Sequence, residues 1–173
     1  LYAKTTKEAA LQAVILGGKP KETINKRGLN LPLIAEVKAK LTPNQKYIRA
    51  LLCGGTLCQE MMMLAMETLP DIYSNIAKDP KHKMKDIHKS VAHTFIDFGD
   101  DDFTRGKPHP MIDPSLRTAR FIEEAKDPEV GVIILDFILG YGAHPDPVGM
   151  MLPEIIKAKA NAAKEGRHLE ILG

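Results

Sequence analysis

The sequence predicts an α/β fold of three layers, in which a doubly wound, mainly parallel sheet of flavodoxin-like type lies between helices. Two observations lead to this prediction. Apolar segments of strand length alternate with longer segments rich in helix-forming residues. The most apolar strand segment, residues 130–139 (VGVIILDFIL), has a single polar interruption, which is typical of a central parallel strand covered on both faces.

The alternation defines five strands and three helices. The first strand, residues 47–53, is followed by the glycine turn 54–56 and a helix over 57–69. The remaining segments are a weak strand at 71–76, a lysine-rich solvated loop at 77–90, strands at 93–98, 130–139 and 168–172, and helices at 111–127 and 151–164. Asp113 is expected to cap the helix that starts with Pro114.

Composition limits the organisation and the function. The chain has 173 residues, of which 44 % are hydrophobic, enough for one ordinary domain with an appendage. Its 24 basic and 22 acidic side chains argue against nucleic acid and anionic membranes as partners. No segment resembles a membrane span or a signal peptide, which predicts a cytoplasmic protein. Cys53 and Cys58 lack zinc-ligand or redox-motif spacing and are expected to be buried free thiols.

Three segments are predicted in the chain. Residues 1–20 carry a capping-box spacing from Thr5 to Glu8 and a stop at Gly17, and they are expected to form the tail helix of a preceding domain. Residues 21–45 indicate a linker with at most a short helix near 33–40. Residues 46–173 form the main domain. Both ends suggest a fragment of a larger protein.

Three turns with unusual chemistry follow predicted parallel strands: Gly54–Thr56, Asp97–Pro110 and Asp136–Pro147. Strand-to-helix turns of such a sheet lie at its carboxyl edge, where ligands bind. We therefore expect the three turns to line one site.

The first of these turns can hold an anion. Gly54 and Gly55 allow close approach of a ligand, and Thr56 stands at a helix start with free N–H groups. Glycines in such a turn are equally expected from the backbone bend alone. Arg105, beside Gly106, offers a planar fork for a carboxylate or phosphate.

Candidate acid–base groups lie in the other two turns. Asp136 interrupts an apolar run, which indicates proton-transfer or orienting work, although it could simply cap its own loop. His109, between two prolines, and His144, between glycines and prolines, could each be a nucleophile, a proton carrier or a ligand. A metal site of His109, His144, Asp136 and Asp146 has no motif to support it, and none is predicted.

Further residues of these turns are candidates for contact with substrate. The acidic run from Asp100 to Asp102 could bind a cation or be a solvated turn. The candidate set is Asp100, Asp102, Gly106, Asp113, Gly140, Gly142 and Asp146.

Residues 54–60 (GGTLCQE), 97–117 (DFGDDDFTRGKPHPMIDPSLR) and 136–147 (DFILGYGAHPDP) resemble the carboxyl-terminal domain of the FdrA family, relatives of the succinyl-CoA synthetase α subunit. The resemblance covers about residues 47–172 and implies a CoA-ligase-type domain in a parent that also carries a CoA-binding-like Rossmann domain. It implies that Gly55-Thr56 corresponds to a turn that receives the phosphate of a phosphohistidine. It also implies that Asp136 stands about where a glutamate orients that histidine. The glycine-flanked phosphohistidine motif itself has no counterpart in the chain.

The resemblance further implies an acyl-CoA synthetase-like ligase or an oxamate carbamoyltransferase, which passes carbamoyl between oxalurate and phosphate. No covalent cofactor is expected, and phosphate or CoA would come through the parent protein. The expected partners are a small anionic metabolite and other domains or subunits, in an oligomer. The alternative is a non-catalytic assembly or metabolite-sensing module with the same fold.

Overall fold

The computed structural model describes residues 2–19 and 29–173, which fall into two compact units, Leu1–Glu36 and Val37–Gly173. The first unit contains helix α1 (Thr6–Leu16), and the Thr5 hydroxyl accepts a hydrogen bond from the N–H of Glu8 at 3.1 Å. The predicted capping of this helix is therefore confirmed. Helix α2 (Leu31–Lys40) is longer than expected, and residues 21–28 of the predicted linker lie outside the described residues.

The second unit is built on five strands. They are β1 (Tyr47–Leu52), β2 (Ile72–Ser74), β3 (His93–Asp97), β4 (Val130–Leu135) and β5 (Glu170–Leu172). All neighbouring pairs are parallel, in the order β2-β3-β1-β4-β5. The predicted doubly wound parallel α/β fold is confirmed.

Helices cover both faces of this sheet. They are α3 (Gly55–Ala65), α4 (Asp101–Thr104), α5 (Ser115–Lys126) and α6 (Pro147–Lys164), and Pro80–His82 form a short 3-10 helix. Because side chains alternate along a strand, Leu52 joins the cluster of Met62 in α3, whereas Leu51 joins that of Phe121 in α5 and Met151 in α6. The core therefore has two halves, one on each face.

The register places three strand ends side by side. Leu52 of β1 pairs with Asp97 of β3, and Leu51 pairs with Leu135 of β4. From β1 the chain continues to the β3 side and then returns to β4 on the other side of β1. Such a reversal opens a crevice at the carboxyl ends of the two strands, here between β1 and β4.

Several boundaries differ from the prediction. Strand β4 ends at Leu135, before the predicted residue 139, because Arg117 rather than a neighbouring strand bonds the Asp136 carbonyl. Helix α6 begins at Pro147, four residues early, because the Asp146 carboxylate accepts from the N–H of Gly149 at 2.7 Å and caps it. Helix α5 begins at Ser115, four residues after the start of the predicted segment 111–127 and one residue after the expected first helical residue Pro114. Its N-cap is Pro114 and not the predicted Asp113.

The lysine-rich segment is anchored by a buried ionic network at the amino end of the sheet. The Glu124 carboxylate accepts from the Arg49 Nε at 2.7 Å and also from Arg120 and the Ser90 hydroxyl. Arg49 also donates to the Ala92 carbonyl. Because Arg49 and Glu124 are almost fully buried, the segment is fixed to β1 and α5 at this point, in contrast to a freely solvated loop.

Two further findings concern the described residues. Gln45, in the predicted linker, is buried and donates to the carbonyls of Val130 (3.0 Å) and His168, so the end of the predicted linker is part of the second unit. In the part of the chain that is described, no helix combines the length and apolarity that a membrane crossing requires.

Candidate functional site

Asp136 ties the carboxyl ends of β1 and β4 together. Its Oδ1 accepts from the backbone N–H of Cys53 at 2.8 Å, from the Cys53 thiol at 3.0 Å and from the Arg117 guanidinium at 2.7 Å. The other oxygen, Oδ2, lies 3.5 Å from the position that a Cβ on Gly54 would take. One oxygen of the carboxylate is therefore fixed by the protein, while the other faces the glycine turn.

Arg117 reaches this carboxylate from α5. Its guanidinium is 1 % exposed, also donates to the Asp136 carbonyl, and lies 5.5 Å from the centre of the Phe137 ring. A buried guanidinium of this kind is stable only with a carboxylate partner. Arg117 therefore positions Asp136. Arg117 belongs to the candidate site, although it is not among the site residues predicted from the sequence.

The first turn of α3 lies against a second carboxylate, that of Asp97 at the end of β3. A Cβ on Gly55 would be 2.7 Å from Asp97 Oδ2, a distance that no side chain tolerates without displacement. Glycine at position 55 therefore leaves room for the Asp97 carboxylate. The N–H groups at the start of α3, where Gly54 is the N-cap without a side-chain bond, are available to an anion, and Thr56 is exposed beside them.

His109 is brought to the same place by the loop after β3. Its Nε2 lies 2.6 Å from the Cβ position of Gly99, whose N–H donates to Asp97 Oδ1 at 2.8 Å. The other ring nitrogen, Nδ1, accepts from the N–H of Met111 at 3.2 Å. The neutral ring consequently carries its proton on Nε2, toward Gly99 and Asp97.

His144 joins the second and third loops. Its backbone N–H donates to the Met111 carbonyl at 2.7 Å, and its Nδ1 accepts from the N–H of Asp146 at 3.0 Å. The charge of His144 acts on Asp113, which bonds Ser115. The three loops therefore meet as expected, but the ring of His144 is engaged with the loop itself.

Other predicted site residues have local roles. Asp100 caps α4, Asp146 caps α6, and Asp113 bonds the first residue of α5. Hydrogen bonds to Ser115 hold the pKa of Asp113 below its usual value. These carboxylates satisfy helix starts, and the cation-binding alternative for the acidic run has no support in their geometry.

The remaining candidates lie on the surface. Arg105, at the end of α4, is exposed, and its backbone N–H donates to the Asp101 carbonyl at 3.1 Å. Its side chain has no hydrogen-bond partner among residues 2–19 and 29–173, so it is not held at the anion-binding turn. Asp102, Gly106, Gly140 and Gly142 are exposed as well. The positive φ values of these three glycines, from 73° to 142°, give a conformational reason for glycine there.

Asp97 has the electrostatics of a proton-transfer group. Burial raises its pKa, and the negative charges of Asp100 and Asp136 add to this effect, while the Gly99 N–H and His109 oppose it. In contrast, burial raises the pKa of the Cys53 thiol to about 12 and that of Cys58 to about 12. The cysteines are therefore unreactive thiols, as expected, and Asp97 is the candidate acid.

Sequence reasoning overlooked Asp97 and Arg117, although each left a signal. Asp97 ends an apolar strand in the same way as Asp136 ends the next one. Arg117 stands one helical turn before the buried Phe121, on the core-facing stripe of α5. A charge on a core-facing stripe indicates a buried partner, and here that partner is Asp136.

The arrangement provides a helix start for an anion, two carboxylates beside it and the imidazole of His109, whose charge lowers the pKa of Asp97. Among residues 2–19 and 29–173, no group of three or more His, Cys, Asp or Glu side chains could hold a metal ion. The geometry is suited to transfer reactions in which negative charge and a proton are handled together.

Comparison with known proteins identifies relatives of this domain. A family model described as CoA-ligase matches residues 51–167, which include all three loops of the site. The uncharacterized protein YahF of Escherichia coli strain K12 is 60 % identical over 171 residues, or 99 % of the chain. The chain spans 33 % of the length of that relative.

Proposed function

The chain belongs to the CoA-ligase family, and we propose that it supplies the phosphate-handling half of an active site that transfers an acyl or carbamoyl group, as in FdrA-like proteins. The family and the fold are those of succinyl-CoA synthetase-like ligase domains. The observation that carries the proposal is the position of two carboxylates, Asp97 and Asp136, at the open start of α3. Other domains or subunits complete the site.

Phosphate binding is assigned to the turn Gly54–Thr56. Backbone N–H groups and the helix dipole attract an anion there, and the close approach at Gly55 excludes any side chain that would occupy the space. Arg117 offsets part of the negative charge of Asp136 through its 2.7 Å ion pair.

Proton transfer is assigned to Asp97 and His109. The raised pKa of Asp97 brings it nearer to the range in which a carboxyl group both gives and takes a proton. The Nε2 of His109 is directed to the same region. His144 is a weaker candidate for proton transfer because its ring accepts a hydrogen bond from the N–H of Asp146 in its own loop.

The reaction that we propose is carbamoyl transfer from oxalurate to phosphate. A phosphate oxygen attacks the carbamoyl carbon, and the C–O bond of carbamoyl phosphate forms. The bond from that carbon to the oxamate nitrogen breaks, and the nitrogen takes the proton that phosphate gives up, through Asp97 or His109. Oxamate and carbamoyl phosphate are the products. In this reaction the domain supplies the phosphate-binding turn Gly54–Thr56 and the two proton-transfer residues, Asp97 and His109.

The decisive experiment measures carbamoyl phosphate formation from oxalurate and phosphate by the full-length protein with the subunits that co-purify with it. We expect Asp97→Asn and His109→Ala to lower the rate at least about tenfold, since general acid–base groups typically contribute that much or more. His144→Ala should lower it less. Lys159→Ala, an exposed change on α6, is the control for handling and folding.

Unchanged rates in Asp97→Asn, Asp136→Asn and His109→Ala, with the fold retained, would exclude a catalytic role for this domain. Saturable phosphate binding without turnover would instead favour the metabolite-sensing module. Incubation with labelled ATP or an acyl phosphate tests for a phosphohistidine separately. Acid-labile label on His109 or His144 would indicate a synthetase mechanism.

A further inference from the structure

A groove of about 370 Å³ lies between α5 and α6, away from the loops of the candidate site. Its floor is apolar and its rim is charged. The side chains that line it are Ile122, Ala125, Lys126, Glu154, Lys157, Ala158, Asn161, Lys164, Glu165 and Arg167. Four of these are basic and two are acidic, so the groove carries a positive excess although the whole chain is nearly neutral.

Arg167 is the distinctive residue of the groove. It is 8 % exposed, its Nε donates to Glu165 at 2.7 Å, and one terminal nitrogen donates to the Ala125 carbonyl at 2.8 Å. The other terminal nitrogen, Nη1, is buried and has no hydrogen-bond partner among the described residues. A buried donor without a partner is unfavourable by about 1–3 kcal/mol, and more when charged.

The rim cations differ in how they are neutralised. Lys126 pairs with Glu123 at 2.6 Å and Lys157 with Glu154 at 3.6 Å, in exposed ion pairs that water and salt weaken. Lys164 shows no partner among residues 2–19 and 29–173, and it stands one helical turn after Asn161 on the same side of α6. Positive charge at the rim is therefore available to a ligand.

The groove and the candidate site lie at opposite ends of the sheet. Helix α5 begins after the loop at the carboxyl edge and ends at Lys126, shortly before β4 starts at Val130. Lys126 therefore marks the amino edge. The last turn of α6, with Lys164, is at this edge too, because β5 follows it. A ligand in the groove would not overlap the glycine turn.

We propose that this groove is a second binding site, for a small organic anion with a carboxylate or phosphate group on a short aliphatic body. The anion would lie between Lys157 and Lys164, over the positive charge of the buried Arg167 guanidinium, and rest its carbon atoms on Ile122 and Ala158. The volume is at the small end of ligand pockets, which favours a metabolite over a nucleotide. The proposal does not depend on the proposed function.

The test is titration of the full chain, labelled with ¹⁵N, with two probes used separately, succinate and inorganic phosphate. We expect saturable shifts of the backbone amides of Ala125, Asn161 and Lys164 with a Kd below about 10 mM. Saturation by succinate alone identifies a carboxylate site, and saturation by phosphate alone identifies a phosphate site. No saturable shift with either probe overturns the proposal.

Charge-reversal variants locate the binding. Lys157→Glu combined with Lys164→Glu should weaken binding at least tenfold, whereas Lys159→Glu, on α6 but outside the groove, should weaken it less than about threefold because salt screens distant charges. Arg167→Lys keeps a positive charge but loses the hydrogen bonds to Glu165 and Ala125 that hold it beneath the groove, and it should weaken binding about fivefold. If Arg167→Lys fails to fold, the lysine variants decide alone. Equal weakening by Lys159→Glu, or shifts confined to Gly54–Thr56, would contradict the proposal.

Discussion

Arg117 and Asp136 form an ion pair of 2.7 Å in which the side chains are 1 % and 12 % exposed. The pair connects α5 to the ends of β1 and β4, since Asp136 also accepts from the Cys53 N–H. A buried ion pair of this kind stabilises a protein little more than a pair of apolar side chains in the same place would. Removal of only one partner is strongly destabilising, because it leaves the other charge buried and unpaired. The pair therefore makes the shape of the site and the stability of the domain dependent on each other.

We expect Arg117→Met and Asp136→Leu each to lower the free energy of unfolding by about 3–5 kcal/mol, because each leaves one buried charge unpaired. The double variant should lose clearly less than the sum of the single losses. Urea unfolding followed by circular dichroism measures these values. Strict additivity would contradict the coupling.

The pair Glu123–Lys126 is a matched control for this cycle. Its side chains lie 2.6 Å apart on α5 but are 66 % and 65 % exposed, so solvent screens them. The coupling free energy of Lys126→Met with Glu123→Leu should be below about 1 kcal/mol. A value equal to that of the buried pair would show that burial is not the cause.

Gly55→Ala should destabilise the domain by about 1–3 kcal/mol, the usual range for an inserted methyl group in a packed site. The new Cβ would lie 2.7 Å from Asp97 Oδ2 and force that carboxylate away from the Gly99 N–H. Gly54→Ala, with its nearest contact at 3.5 Å, is the control and should be tolerated. Thermal unfolding of both variants checks this prediction. A loss of stability in Gly54→Ala equal to or larger than that in Gly55→Ala would contradict it.

The stability of the domain should depend on pH through Asp97. Its folded-state pKa is raised, chiefly by burial, so the folded protein binds the proton more tightly than the unfolded chain does. Below about pH 3.9, the unfolded pKa, the carboxyl group is protonated in both states and does not affect stability. As the pH rises from there toward the folded pKa, burial of the carboxylate destabilises the folded protein increasingly. Asp97→Asn should be more stable relative to the parent at pH 7 than at pH 3.5.

Unfolding free energies of both proteins across this pH range decide the question. Asparagine keeps an oxygen that can accept from the Gly99 N–H and removes only the charge. A difference between variant and parent that stays constant with pH would mean that Asp97 titrates normally.

Both thiols should react slowly in the native protein. Burial raises the pKa of Cys53 to about 12 and of Cys58 to about 12, so near pH 8 the thiolate population is about a thousandfold below that of an ordinary thiol. Alkylation by iodoacetamide should therefore follow global or local unfolding. Rapid native labelling of Cys53 would indicate an open site.

The order and type of the elements could be predicted because periodicity and turn residues are local signals. Boundaries were less accurate where a tertiary contact decides them. Strand β4 ends early because Arg117, distant in sequence, bonds the Asp136 carbonyl. The early start of α6 follows from the Asp146 cap, a signal that the sequence contained.

The position of the three loops at one edge of the sheet could be predicted from the topology alone. The side-chain contacts between the loops could not. Gly55 was attributed to an anion or to a bend, whereas the structure shows the steric reason, a carboxylate from another strand. Arg117 and Asp97 were overlooked because the pairing partner of a buried charge is set by the fold. The catalytic roles of His109, His144 and Asp136 remain predictions.

The contact between Gly55 and Asp97 means that the start of α3 already holds a negative group from within the chain. A second anion arriving there meets repulsion, which falls when Asp97 takes up a proton. For the anion that we propose, ligand and proton would then be thermodynamically linked: the factor by which the ligand raises the proton affinity of Asp97 is also the factor by which the proton raises the ligand affinity. At the proposed site, a lower pH would therefore favour binding of the anion, and loss of the Asp97 proton during the proposed transfer would favour its release.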